Sequence, residues 1–166
     1  MHGSTSSASR SSGYTILSAA AGHLGSQIRP RPQFSSFLLG LADPAPDSRI
    51  VLLGADGLEL ACELIRFGAS DVSIARIADM PHDTRADIAI IPHAPTARLI
   101  EQSIVVARRS LHPLGRLIMG DVPTDLLGIA RAHLRLHGFG RLQSWTELDR
   151  LALRAELPLR GGVSCA

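Results

Sequence analysis

Residues 49–76, RIVLLGADGLELACELIRFGASDVSIAR, constrain the fold more than any other part of the chain. Ile50 to Leu53 are an unbroken apolar run, the pattern of a strand buried on both faces. A turn with glycines at Gly54 and Gly57 follows, and from Gly57 to Phe67 the period becomes helical. Glu59, Glu63 and Arg66 fall on one polar stripe, with Leu58, Ala61, Leu64 and Ile65 opposite. DVSIARI then returns as a second strand. A buried strand, a short turn, a helix and another strand make one parallel crossover unit, and such units pack helices on both faces of a sheet.

The remainder continues that alternation. ADIAIIP is the third strand, and a helix over 97–112 follows with Ile100, Ile104, Ala107 and Leu111 as its buried seam. RLIMG is the next strand. TDLLGIARAHLRLHG is a helix capped by Thr124 or Asp125 after Pro123 and stopped by Gly138. GRLQSW and RLALRAEL close the chain as an antiparallel pair across the turn TELD. The expected fold class is an α/β three-layer sandwich with a mostly parallel sheet and a C-terminal antiparallel hairpin.

Composition agrees. Hydrophobic residues are 45% of the chain and aromatics 4%, so the core is built from Leu, Ile, Val and Ala. With 166 residues there is room for one ordinary domain. Net charge is only +2 and both signs are interspersed, so no nucleic-acid footprint stands out. All the basic side chains are Arg, which fits codon bias better than phosphate chemistry. Cys62 and Cys165 are far apart and suggest no disulfide framework, so a cytoplasmic setting is expected.

The organisation reads as four parts. Residues 1–13 are a Ser- and Gly-rich tail; 14–48 are an N-terminal helical segment and linker; 49–158 are the main domain; 159–166 are a C-terminal tail. Within 14–48, Leu17, Ala20, Ala21, Leu24 and Ile28 have helical spacing, RPRP imposes extended backbone, and FSSFLLGL is a small apolar patch. Export has little support, and no run is long enough for a membrane span.

The 49–158 region, about two thirds of the chain, resembles the class I S-adenosylmethionine (SAM)-dependent methyltransferases, a Rossmann-like family. The family's first motif is an acid, a spacer, three glycines at alternate positions and a helix ending in GA. Here Gly54 supplies the first glycine, and Gly68 and Ala69 the ending. LHPLGRLIM is similar to the family's LxPGGxL turn, with Pro113 and Gly115 kept and Leu114 replacing a glycine. HGFGRLQSW and the last strand resemble its closing hairpin.

The departures fall on the cofactor contacts that the resemblance implies. Leu52 stands in place of the acid, Asp56 of the second glycine and Leu58 of the third. The acid that ends the second strand and holds the ribose hydroxyls is replaced by Arg76, with Asp79 just beyond. Residues 77–87 are one short loop where the family inserts a helix, a strand and a helix, so the fold is methyltransferase-like but shortened. The residues left to contact a cofactor are Gly54, Asp56, Gly57, Arg76 and Asp79.

His93, in IPHAP at the carboxyl edge of the sheet, is the candidate general base, with His82 and Asp83 near the same edge. Ordinary polar loop residues are the simpler explanation of all three. His133 and His137 share a helix side but lie at the amino edge, where interaction with the terminal carbonyls accounts for them and for His112, so no metal is assigned.

The leading function is a methyltransferase-like domain that has lost its cofactor, none being expected, and serves as a non-catalytic binding or assembly subunit. A divergent SAM-dependent methyltransferase is the first alternative. An NAD(P)-binding oxidoreductase-like domain, with Arg76 on the extra phosphate, is the second. The shortened sheet leaves DVSIARI as an edge strand for FSSFLLGL or a second subunit to cover, so a homodimer or protein partner is expected. No membrane or nucleic-acid partner is expected.

Overall fold

A computed structural model describes residues 32–54, 57–77, 85–147 and 149–158. The tail over 1–13, the helix read at 14–28, Asp56, Asp79, His82, Asp83 and the tail after 158 lie outside the described residues. The elements are α1 (Pro32–Ala42), β1 (Arg49–Leu53), α2 (Gly57–Arg66), β2 (Asp71–Ala75), β3 (Ala86–Ile91), α3 (Ala97–Ser110), β4 (Leu111–Val122), a 3-10 turn (Thr124–Leu126), α4 (Leu127–Leu136), β5 (Gly140–Glu147) and β6 (Arg150–Glu156). Six strands form one sheet in the order β2-β1-β3-β4-β6-β5. Strands β2, β1, β3 and β4 are mutually parallel, and β6 is antiparallel to both β4 and β5.

Period-two alternation divides the core into two layers. Val51, Leu53, Ala89, Ile91, Leu117, Met119, Leu151 and Leu153 face α3 and α4, meeting Ile100, Ile104, Ala107, Ala130 and Leu134. Ile50, Leu52, Ile88, Ile90, Ile118 and Ala152 face α1 and α2, meeting Phe34, Leu38, Leu60, Ala61 and Leu64. Each fully buried Leu or Ile in these layers contributes about 1.5–3 kcal/mol.

Glycine ends two helices as the sequence predicts. Gly68 has φ +95° and Ala69 N–H donates to Leu64 O at 3.0 Å; Gly138 has φ +80° and Phe139 N–H donates to Leu134 O at 2.9 Å.

Several local expectations are corrected. RPRP does not end in extended backbone: Pro32 opens α1, where its missing N–H costs nothing. FSSFLLGL lies within that helix and packs against β4 and α2 on the sheet face, not along the β2 edge. In α2 the buried side is Gly57, Leu60, Ala61 and Leu64, whereas Leu58 and Ile65 are 52% and 61% exposed. Helix α3 stops at Ser110 because His112 precedes Pro113 and is pushed to extended backbone. Neither Thr124 nor Asp125 caps α4: they wind into the 3-10 turn, Leu126 N–H donates to Pro123 O, and no side chain caps the helix.

Leu114 adopts φ +75° in the turn where the family pattern has a glycine. Gly115 beside it is tightly enclosed, since a Cβ there would lie 2.9 Å from Leu111 Cβ. Among the described residues no helix is long and apolar enough to cross a membrane.

Candidate functional site

Four parallel strand ends, those of β2, β1, β3 and β4, lie side by side at the carboxyl edge, where open α/β sheets bind their ligands. The β1 end is the motif turn. Gly54 has φ +126°, a conformation a side chain strongly disfavours, and its N–H donates to Ala75 O at 3.0 Å, tying the turn to the end of β2. Arg76, the residue after β2, is exposed beside that contact. Gly54 and Arg76 are thus brought together.

Below the turn the packing is apolar. Leu52 is fully buried. Gly57 opens α2 directly over it: a Cβ built on Gly57 would lie 3.2 Å from Leu52 Cβ and 3.6 Å from Ile74 Cγ2. Gly57 is therefore buried by close packing of helix on sheet, while Leu58, the next residue, points outward.

At the adjacent strand ends His93 acquires a partner that the sequence did not suggest. His93 Nδ1 lies 2.5 Å from Asp121 Oδ2, joining the segment after β3 to the end of β4. Asp121 has φ +51°, and its other oxygen is 3.8 Å from Arg150 Nε at the start of β6. Arg150 in turn lies over the Phe34 ring, 5.1 Å from its centroid. Close backbone approach makes this junction possible, since a Cβ on Gly120 would lie 2.8 Å from Pro92 O. With Nδ1–H donating to the carboxylate, Nε2 is left as the acceptor, the arrangement of an oriented general base. No other hydrogen bond to the His93 ring is found among the described residues. Strand order held the signal for Asp121: residues at or just past the ends of two adjacent parallel strands are neighbours.

The other described histidines lie elsewhere. His112 is corrected from a helix-terminal residue to a strand residue, with Nε2 2.5 Å from Asp87 Oδ1 at the amino edge. The other Asp87 oxygen accepts from Arg49 N–H at 2.8 Å, so one carboxylate holds β1, β3 and β4 together. His133 Nδ1 is buried without a hydrogen-bond partner among the described residues. His137 is the C-cap residue of α4.

No protein-family model and no curated protein sequence matches the chain. Solved structures do match. A ribosomal protein L11 methylase from Lactobacillus delbrueckii subsp. bulgaricus aligns at TM-score 0.63 and 14% identity, over 76% of this chain and 78% of that one. A SAM-dependent O-methyltransferase from Thermotoga maritima aligns at TM-score 0.60 and 15% identity, over 83% and 69%. An N-methyltransferase from Bradyrhizobium japonicum, solved with S-adenosyl-L-homocysteine (SAH), aligns at TM-score 0.59 and 14% identity, over 76% and 86%. At such identities the likeness concerns the fold alone. The chain has the methyltransferase-like Rossmann fold.

Proposed function

We propose that this methyltransferase-like domain does not bind SAM and works as a non-catalytic binding or assembly subunit, engaging a protein partner or a second copy of itself. The observation that carries the proposal is the burial of Leu52 beneath Gly57. Where the family pattern has an acid, an apolar side chain is sealed against the first turn of α2. It offers no acceptor to a polar cofactor, and Arg76 offers none to ribose hydroxyls. Each unpaired polar group costs about 1–3 kcal/mol, so the described residues of this turn do not fit SAM. The test is denaturation of freshly purified protein and mass spectrometry of what is released. Absence of SAM, SAH and nicotinamide cofactors is expected; recovery of SAM or SAH near one per chain would overturn the proposal.

The paired His93 and Asp121 favour a second reading, a divergent methyltransferase. In it His93 Nε2 would take the proton from a bound acceptor substrate while Asp121 holds the ring. Methyl transfer from labelled SAM to a small-molecule or protein acceptor, lost in His93→Ala, would establish it. Labelling no greater in the wild type than in His93→Ala, or absent from both, would reject it.

A further inference from the structure

Helix α2 carries two apolar stripes. Gly57, Leu60, Ala61 and Leu64 are buried on the sheet. Leu58, Cys62 and Ile65 follow at i, i+4 and i+7 on an exposed side, Leu58 at 52% and Ile65 at 61%. Phe67, at 72%, extends the exposed stripe past the helix end, and Ile74 of β2, at 37%, lies beneath the first turn, close to Gly57. Strand β2 is the sheet edge on this side, and its outer N–H and C=O groups have no strand partner among the described residues. Apolar side chains and an open edge on the same border mark a contact surface.

We propose that a second copy of this chain covers this surface, the two β2 strands pairing antiparallel about a two-fold axis normal to the sheet and the two α2 helices packing alongside. The proposal deepens the assembly-subunit reading and rests on it only for its biological meaning. Three features favour a second copy over an unrelated protein. A two-fold axis normal to the sheet keeps α2 of both copies on the same face, as a continuous sheet requires. Strands are about 4.8 Å apart and α2 packs on both β1 and β2, so its axis lies about half a strand spacing inside β2 and the two helices come about 10 Å apart across the axis, close to the spacing of packed helices. Antiparallel helix packing also sets charge against opposite charge. Centred near Cys62, it brings Leu58 towards Ile65 of the second copy and Glu59 opposite Arg66 of the second copy, twice, on the solvent side of the apolar contact.

The test combines sedimentation with cross-linking. At tens of micromolar the protein should sediment at twice the chain mass, and Ile65→Glu with Ile74→Lys should reduce it to monomer without loss of secondary structure, both side chains being exposed. In a Cys165→Ser background, a short bismaleimide should join chains through Cys62, and the double substitution should abolish the product. A wild-type monomer would overturn the proposal, as would a dimer that survives both substitutions or one that forms no Cys62 product. Cofactor release does not bear on these outcomes, so this proposal and the loss of SAM binding fail separately.

Discussion

Gly57 sits on Leu52 so closely that a Cβ added to the glycine would lie 3.2 Å from that of the leucine. The motif turn is thus built around apolar contact at the position the family gives to an acid. Leu52→Asp, which restores the family residue, is expected to destabilise the fold by about 3 kcal/mol or more by burying a carboxylate without a partner. Urea unfolding measures this. A variant of unchanged stability that gained SAM affinity would show that the turn still holds a latent cofactor site.

Leu114 occupies a left-handed conformation at φ +75° while half its surface is exposed. Leu114→Gly relieves strain of about 1–2 kcal/mol and gives back part of it through a more flexible unfolded chain. A net gain of up to about 1 kcal/mol in thermal or urea unfolding is expected, and a loss would mean that the side chain's contacts outweigh its backbone strain.

Burial raises the Glu63 carboxyl from its ordinary value, Glu59 adds to the shift and Arg66 opposes it. The folded state therefore keeps this proton more tightly than the unfolded chain. Its contribution to stability falls as the pH rises through the raised value and is recovered as the pH drops below the ordinary Glu range. Glu63→Gln should raise Tm slightly at neutral pH and leave it unchanged in acid. The opposite pH dependence would contradict the direction of the shift.

The His93–Asp121 contact fixes which ring nitrogen carries the proton in neutral imidazole. Long-range nitrogen–proton NMR should show the Nδ1–H tautomer in the wild type and a mixture in Asp121→Asn, which keeps the side-chain shape and tolerates a positive φ. An Nε2–H tautomer in the wild type would mean that the contact does not form in solution.

Much of the sheet was legible because burial on both faces leaves so plain a trace. The runs at Ile50–Leu53 and Ile88–Ile91 admit no amphipathic reading, and Gly68 and Gly138 mark helix ends by a conformation few other residues accept. Helix α1 was harder to see, since Pro32 signals extended backbone to its left and helix to its right. The outward side of α2 was misassigned because apolar residues occur on both sides of the helix, and only packing decides which side is buried. Asp121 was missed because its meeting with His93 spans 28 residues and depends on β3 and β4 being neighbours.

The most direct measurement is thermal unfolding of the purified protein with and without sub-millimolar SAM or SAH. A ligand present at about 100 times its dissociation constant adds about 2.7 kcal/mol, which in a domain of this size moves Tm by several degrees. With Leu52 buried under Gly57, and with Arg76 where the resemblance implies an acid, no shift beyond the scatter of repeat scans is expected. A rise of several degrees with either ligand would contradict the proposed loss of cofactor binding and make the methyltransferase reading the leading one.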